Sequence, residues 1–351
     1  MHMADALISP AVGSAMWVVT AGLISYSAKK VKKEIDDKKI PLMGVMGAFI
    51  FAVQMINFSI PATGSSGHLG GAMILAILLG PYTAFLTMAS ILTIQALFFA
   101  DGGLLALGCN IFNLGFFPCF IAYPLLYKKI VGDQITKQRI AIGASLAAVI
   151  GLQLGAFGVV VETFLSGISE LPFTTFLIVM QSIHLAIGLV EGLVTTAVIL
   201  FIFKERAEII QGFPSGKTLG NLSLKPILTI MLVVALVTGG MLSWFASGDP
   251  DGLEWSVTKV TGLEELEAPE GIYGVLADLQ NKVAIFPDYN FRDTNQAAGE
   301  PSSGQEAPAW AAVDSGLSTA GVVGSILTLV VAGGIGKLLQ IVHRRHKKFA
   351  H

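Results

Sequence analysis

The sequence contains few charged residues. Asp, Glu, Lys and Arg make up 13% of its 351 residues, whereas hydrophobic residues make up 53%, and the mean hydropathy is +0.71. A soluble domain usually carries about 25% charged residues, so this composition argues against a soluble protein. It predicts an all-α protein that crosses a membrane several times.

Cysteine is also scarce, and the composition of the first residues predicts no cleaved leader sequence. Cys109 and Cys119 both lie in an apolar stretch, so we expect buried small side chains rather than a disulfide framework or a CxxC site. The first residues lack the basic segment and the cleavage site of a signal peptide. The first apolar run is therefore expected to remain in the protein as a helix.

Two catalytic signatures are incomplete or missing. The stretch GFPSGKT (212–218) has three residues between its first glycine and the Gly-Lys pair. A phosphate-binding P-loop needs four, with a strand before it and a helix after it, so we expect this chain to bind no nucleotide. The zinc-protease pattern HExxH is also missing, which favours a non-catalytic protein over an intramembrane metalloenzyme.

Long apolar segments occupy most of the chain. A membrane-spanning helix needs about 20 apolar residues to cross about 30 Å of hydrocarbon. Nine segments reach or approach this length: 11–28, 40–58, 69–80, 82–100, 104–127, 139–163, 174–203, 226–246 and 316–338. The third, LGGAMILAILLG, is only 12 residues long and ends at Pro81, as expected of a re-entrant or half-spanning segment.

The distribution of charge orients these spans. Lys and Arg accumulate in cytoplasmic loops, and KKVKKEIDDKK follows the first span. If 69–80 crosses, the later basic loops and the tail HRRHKK fall on the same side, so we expect the N-terminus outside and the C-terminus in the cytoplasm. The segment from Asp249 to Asp314 carries 13 of the 24 acidic but only 3 of the 22 basic residues, as expected for an external loop.

This order of spans predicts two parts. Residues 1–222 are expected to form a seven-helix bundle. Residues 223–351 are expected to form two further transmembrane helices around an acidic external loop, 247–315. The stretch between the parts, QGFPSGKTLGNLSLKP, is polar and rich in Gly, Ser and Pro, as linkers are.

The first two residues are a candidate metal chelator. A terminal X-His dipeptide offers three nitrogens in one plane: the Met1 amine, the His2 amide and the His2 Nδ1. Deprotonating the amide requires a strongly Lewis-acidic metal that accepts a square plane, which points to Ni(II) or Cu(II). The alternative is that a histidine at position 2 of an exposed terminus has no role.

A fourth donor is needed, and His68 is the candidate. It lies in NFSIPATGSSGHLGG (57–71), a glycine-rich loop that the predicted topology places outside, on the same side as the N-terminus. Asn57, Ser65 and Ser66 are candidates to hydrogen-bond the free nitrogen of either imidazole, as groups around metal ligands do. Alternatively, a lone histidine at a helix start is only a polar interfacial residue.

Three further polar residues are predicted inside the spans: Gln54, His184 and Glu191. His184 and Glu191 are seven residues apart, about two helical turns, and so share one face of a helix. Ionisable residues within a span commonly serve function, by lining a polar path, coupling to protons or bonding to a neighbouring helix. A self-sufficient, proton-coupled secondary transporter that uses His184 and Glu191 is the alternative function.

Several stretches together resemble a known family. MHMADALISP, NFSIPATGSSGHLGG and HLAIGLVEGLVTT are similar to the CbiM/NikM family, the substrate-binding S components of energy-coupling factor (ECF) transporters for cobalt or nickel. DPDGLEWS (249–256) resembles the PDGLE motif of the small CbiN/NikN-type companion subunit, which has two spans around an external loop. The chain looks like a fusion of the two, and the resemblance covers nearly all of it.

The resemblance implies a site and a function. The family's metal ligands correspond to the Met1 amine, the His2 amide and imidazole, and the His68 imidazole, which complete a plane of four nitrogens. The implied substrate is Ni(II) or Co(II), and amide ligation in a plane favours Ni(II). The implied partners are a transmembrane T component and two cytoplasmic ATP-binding subunits in a prokaryotic plasma membrane. The resemblance gives no ligand role to His184 or Glu191.

Overall fold

The computed structural model of the chain describes residues 1–34, 39–210, 224–263, 266, 268–292 and 313–349. The helices of the first part are α1 (Pro10–Glu34), α2 (Lys39–Gln54), α3 (Ala72–Leu79), α4 (Pro81–Phe99), α5 (Leu107–Ile111), α6 (Lys128–Val131), α7 (Lys137–Ser166) and α8 (Phe173–Arg206). Those of the second part are α9 (Lys225–Gly240), α10 (Gly252–Thr261), α11 (Ile272–Val283) and α12 (Ser315–Phe349). The predicted boundary at residue 222, the GFPSGKT stretch and residues 293–312 of the predicted loop lie outside the described residues.

Six helices in the described part of the chain are long and apolar enough to cross a membrane: Pro10–Lys33, Pro81–Phe99, Leu107–Val131, Lys137–Ser166, Phe173–Ile209 and Ser315–Arg345. Two shorter apolar helices, α2 and α9, have 16 residues each. Helical segments satisfy their backbone hydrogen bonds internally, which hydrocarbon requires. The chain is therefore a multi-pass helical membrane protein, and the predicted all-α fold class is confirmed.

One of these long helices changes its hydrogen-bonding pattern. A π-type segment, Phe112–Tyr127, joins α5 to α6, and it contains Pro118 and Pro124. Proline has no N–H and cannot donate to the preceding turn. Wider π-type turns are often found at such interruptions and at functional sites.

The third predicted span is a short helix preceded by a hairpin. Helix α3 has 8 residues, about 12 Å at 1.5 Å per residue, and it cannot cross a membrane alone. Strands β1 (Phe58–Ile60) and β2 (Ser65–Gly67) form an antiparallel hairpin ahead of it. Because Lys39 of α2 and Pro81 of α4 line one cavity, both helices start at the same face, and the chain between them returns across the bundle.

A glycine turn connects this hairpin to α3. Gly71 has a φ of 75°, which side chains with a Cβ rarely adopt. A Cβ there would also lie 2.8 Å from Ile50. Only glycine therefore suits this position, and the turn brings His68 into the bundle close to the start of α3.

Helix α8 has one face on the outside of the bundle and another face in its interior. Leu185, Leu189 and Leu193 recur every four residues and are exposed, as expected for a face in contact with lipid. His184 and Glu191 are buried on the interior side of the same helix. The predicted shared face of these two residues is observed, and it faces the bundle.

The second part packs directly on the first. Helices α9 and α12 contact α2. A Cβ at Gly44 of α2 would lie 2.9 Å from the Leu329 carbonyl oxygen of α12. Within the second part, Gly239 of α9 meets the backbone of Gly321 of α12. Such small residues let membrane helices approach closely. Helices α10 and α11 cover the end of the bundle where α1 begins, and the Tyr273 hydroxyl donates to the Ile8 carbonyl at 3.0 Å.

Candidate metal centre

The first three residues are buried and held in place. Met1 and Met3 are 4% and 0% exposed, although chain termini commonly fray. The Met3 N–H donates to Asn110 Oδ1 at 2.8 Å. The Met3 carbonyl accepts from Asn110 Nδ2 at 3.2 Å and from the Gly103 N–H at 2.9 Å. These three hydrogen bonds fix the backbone at residue 3, so the Met1 amine has a defined position inside the bundle.

The Met1 amine meets His68. Its nitrogen lies 2.8 Å from His68 Nε2. Two nitrogens bound to one metal ion at about 2.0 Å and at a right angle are about 2.8 Å apart, so this separation suits neighbouring donors of a square plane. A cavity of about 10 Å³, lined in part by Met1, His68, His184 and Asp251, adjoins them. This is about the space that one water molecule needs.

The His2 imidazole does not join the Met1 amine and His68 Nε2 but faces the Asp101 carboxylate. Its Nδ1 lies 3.2 Å from Asp101 Oδ1, and its ring stacks on the His68 ring with centroids 5.0 Å apart and planes at 13°. Burial lowers the pKa of His2 to about 4, so the ring is neutral near pH 7 and its Nδ1–H donates to Asp101. His2 Nε2 is buried without a hydrogen-bond partner in the described part of the chain.

The structure thus assembles only part of the predicted plane. The Met1 amine and His68 Nε2 lie together, whereas His2 Nδ1 is held by Asp101. The imidazole has to rotate away from this carboxylate before four nitrogens share a plane. Asp101 also accepts a hydrogen bond from the Tyr289 hydroxyl at 2.5 Å, which keeps the carboxylate facing His2.

Asp251 is the residue at this site that sequence reasoning missed. It belongs to the PDGLE motif, and its Oδ2 lies 2.5 Å from the Met1 amine and 3.6 Å from His68 Nε2. Burial opposes ionisation of this carboxyl, but the positive charge of the amine and the contact with His68 hold the pKa of Asp251 well below its usual range. Asp251 is therefore the counter-charge of the amine.

The same carboxylate begins helix α10. Asp251 Oδ1 accepts from the Leu253 N–H at 2.7 Å and the Glu254 N–H at 3.1 Å, and the Glu254 side chain accepts from the Asp251 N–H at 3.1 Å. This reciprocal arrangement is a capping box. An Asp followed three residues later by Glu predicts such a cap from sequence, but the contact with residue 1 joins positions 250 apart and has no local signal.

Asn57, Ser65 and Ser66 contact the second part of the chain rather than an imidazole. The Ser66 N–H donates to the Pro250 carbonyl at 2.8 Å, and the Ser66 hydroxyl donates to the Asp249 carbonyl at 2.7 Å. The Ser65 hydroxyl lies 3.4 Å from the Pro250 carbonyl oxygen and donates to the Ser66 carbonyl at 3.0 Å. The Asn57 carbonyl accepts from the Ser247 N–H at 2.7 Å. The hairpin presents unpaired backbone groups, as edge strands do, and the PDGLE segment satisfies them.

Gln54 and Glu191 hold the turn that follows His68. The Glu191 carboxylate accepts from the Gly70 N–H at 3.1 Å and the Gly71 N–H at 2.9 Å. Gln54 Nε2 donates to the Gly70 carbonyl at 2.8 Å. Both predicted intramembrane polar residues therefore fix the backbone beside a candidate ligand.

His184 lies at the wall of the small cavity. Its Nδ1–H donates to the Met180 carbonyl at 2.8 Å. That bond leaves the lone pair on Nε2, which is buried without a hydrogen-bond partner among the described residues. The sequence placed His184 on a polar helix face, and its closeness to the Met1 amine arises only from the fold.

The structure is a helical membrane bundle that buries a chain terminus beside two histidines and two carboxylates at one end; nitrogen and carboxylate groups of these kinds are ligands for transition-metal ions. Residues 2–209 match the family profile CbiM, described as a cobalt uptake substrate-specific transmembrane region, and residues 225–341 match the PDGLE domain. The chain therefore belongs to the CbiM family and carries a PDGLE companion in the same polypeptide. The resemblance inferred from the sequence is confirmed.

Similar proteins carry transport names. A putative fused nickel transport protein NikMN of Archaeoglobus fulgidus is 30% identical over 85% of this chain and 91% of its own length. A probable fused nickel transport protein LarMN of Lactiplantibacillus plantarum is 29% identical over 73% of this chain and 78% of its own. A crystal structure of a transition metal transporter, 30% identical, aligns with 58% of this chain and 93% of its own at a TM-score of 0.52.

Proposed function

We propose that this protein is the substrate-binding component of an ECF-type importer for a transition-metal ion, with Ni(II) the preferred substrate and Co(II) the alternative. The observation that carries the proposal is the Met1 amine, buried and 2.8 Å from His68 Nε2. Membership of the CbiM family and the nickel transport names of the fused relatives support it.

In this proposal, the metal ion enters between the PDGLE segment and the N-terminal residues. It displaces the Asp251 carboxylate from the Met1 amine, which loses a proton as it binds. The His2 ring would turn from Asp101 and its proton would move from Nδ1 to Nε2, and the His2 amide would release its proton to water together with that of the amine. The amine, the amide nitrogen and Nδ1 would then close two chelate rings, and His68 Nε2 would complete the plane. A square plane with an amide donor favours Ni(II) over Co(II).

The proposal includes partners and an orientation. The N-terminus and the metal centre face outside, and the basic ends of α1 and α12 face the cytoplasm of a prokaryotic cell, as the distribution of lysine favours. A transmembrane T component and two cytoplasmic ATP-binding subunits supply the energy, because the chain carries no complete P-loop motif. The chain itself is a non-catalytic transport subunit.

The proposal is tested by altering the amine and His68 separately. We expect one residue added before Met1, or His68→Ala, to abolish high-affinity Ni(II) binding and its square-planar absorption band in purified protein. His343→Ala, in the basic end of α12, is the matched control and should bind normally. Tight binding that survives a blocked amine would refute the four-nitrogen site.

The alternative function, proton-coupled secondary transport, predicts a different result in a transport assay. It requires uptake by the chain alone in proteoliposomes, driven by a pH gradient. The two backbone N–H groups on Glu191 support a positioning role for this residue instead. We therefore expect no gradient-driven uptake without the ATP-binding partners.

A further inference from the structure

His184 carries an imidazole nitrogen that the proposed plane of four nitrogens does not use. The ring is 1% exposed. Its Nδ1–H donates to the Met180 carbonyl at 2.8 Å, and its Nε2 is buried without a hydrogen-bond partner among the described residues. Most buried polar atoms have a partner, so an unpaired lone pair beside a candidate metal centre indicates a role there.

The PDGLE segment covers this lone pair. A Cβ at Gly252 would lie 3.2 Å from His184 Cε1, 3.4 Å from His184 Nε2 and 2.8 Å from the Ile187 side chain. Gly252 directly follows Asp251, whose carboxylate contacts the Met1 amine. The backbone of the segment therefore lies against the imidazole and shields Nε2 from bulk water. A hydrogen bond is electrostatically stronger in such a shielded site than in water.

The small cavity beside the amine brings polar side chains together. Among the described side chains that line it, only those of His68, His184 and Asp251 carry a nitrogen or oxygen atom. The volume of the cavity is about 10 Å³, which is about the space that one water molecule needs. Groups on the walls of so small a cavity can hydrogen-bond directly or through one water molecule.

Metal binding would deprive the Met1 amine of its present partners. In the metal-free protein these partners are the Asp251 carboxylate and His68 Nε2. The inference rests on the proposed function, in which the metal ion displaces Asp251 and takes the lone pair of His68. The neutral amine then keeps two N–H groups, and a buried donor without an acceptor is unfavourable. Of the three described polar side chains at the cavity, His184 alone keeps an unused lone pair.

We propose that His184 is a positioning residue of the metal centre. Its Nε2 accepts a hydrogen bond from the metal-bound Met1 amine, directly or through one water molecule in the cavity. This bond fixes the rotation of the amine about the Met1 Cα–N bond, so that the lone pair of the amine points at the metal ion, as groups around metal ligands do. His184 is not itself a ligand, and the plane of four nitrogens is unchanged.

Two substitutions separate the two nitrogens of the His184 ring. Asparagine places an amide N–H near the position of Nδ1, and glutamine places an amide oxygen near that of Nε2. His184→Asn therefore keeps the donor to Met180 and loses the acceptor at the cavity, whereas His184→Gln does the reverse. Each variant is the matched control of the other.

Calorimetric titration of the full-length protein with Ni(II) measures the first effect. We expect His184→Asn to bind Ni(II) about 10–100-fold more weakly, the usual effect of removing the hydrogen-bond partner of a metal ligand. His184→Gln should stay within about five-fold of the wild type, the effect of one neutral hydrogen bond.

Thermal unfolding of the metal-free protein should rank the variants in the opposite order, because only His184→Gln loses the bond to Met180. A role in folding alone would make His184→Gln both the less stable protein and the weaker binder, and that result would overturn the proposal. An unchanged Ni(II) affinity in His184→Asn would also overturn it.

A measurement on the wild type does not depend on whether the variants fold. Square-planar Ni(II) is diamagnetic, so ¹⁵N NMR of the histidine-labelled protein reports the state of His184 Nε2. In the Ni(II)-loaded protein we expect the resonance of a hydrogen-bonded acceptor. The resonance of a free lone pair, or of a nitrogen bound to the metal, would overturn the proposal. The proposed function fails on a different result, which is Ni(II) binding that survives a residue added before Met1.

Discussion

Replacing Asp251 by asparagine should raise the affinity for the metal ion and lower the stability of the metal-free protein. The Asp251 carboxylate contacts the Met1 amine at 2.5 Å, and the proposed metal ion takes its place there. An interaction present only in the metal-free state opposes binding by its own free energy. Asparagine caps a helix about as well as aspartate, so α10 should remain intact while the charge is lost.

The magnitude follows from the burial of the pair. The Met1 and Asp251 side chains are 3% and 14% exposed, and removing one partner of a buried ion pair costs about 3–5 kcal/mol. The lower end of this range is about 3 kcal/mol. At 1.4 kcal/mol per tenfold, Asp251→Asn should raise the affinity for Ni(II) about 100-fold at pH 7.

Calorimetric titration with Ni(II) and thermal unfolding with and without the metal measure both effects. The control is Asp249→Asn, which makes the same charge change in a neighbouring residue whose carboxylate accepts from the Ser247 hydroxyl and not from the amine. Weaker Ni(II) binding by the Asp251 variant would refute the reasoning, since it would make the carboxylate a helper or ligand of the metal rather than its competitor.

Two further predictions concern His2 and Glu191. Because burial lowers the pKa of His2 from 6.5 to about 4, the unfolded chain binds a proton between these pH values that the folded protein does not. Stability should therefore fall by up to about 3 kcal/mol as the pH drops through this window. Urea unfolding of the metal-free protein at several pH values measures this slope, and His2→Gln should flatten it. Glu191→Gln should weaken Ni(II) binding about ten-fold or more in calorimetric titration, because the turn beside His68 loses one acceptor. The control is Glu162→Gln, which alters a buried carboxylate that accepts a hydrogen bond from Asn113. Equal losses in both variants would contradict the positioning role of Glu191.

The sequence was sufficient to predict two of the approaches seen in the fold. Lysine placement put the N-terminus and the 57–71 loop at one end of the bundle, and the Met1 amine and His68 are in contact there. Heptad spacing put His184 and Glu191 on one buried face of α8. These features depend on periodicity and charge, which a single sequence displays.

The residues that contact the candidate ligands could not be predicted from the sequence. Asp101 and Asp251 each contact one end of the chelator, but both pairings join residues far apart in the chain. Ser65 and Ser66 are candidates to hydrogen-bond an imidazole because hydroxyls suit this role chemically. In the structure both serines contact the PDGLE backbone at Asp249 and Pro250 instead, because the backbone groups at a hairpin edge need partners.

Joining the PDGLE segment to the bundle in one chain has a kinetic consequence. Helices α9 and α12 are packed on α2, and they hold the segment between them close to the Met1 amine. Short tethers of this kind give effective concentrations in the millimolar range. If the proposed site opens to admit a metal ion, closure of Asp251 over it is a unimolecular event, whose rate is independent of how much protein the membrane contains. A separate companion subunit would close such a site only in proportion to its abundance.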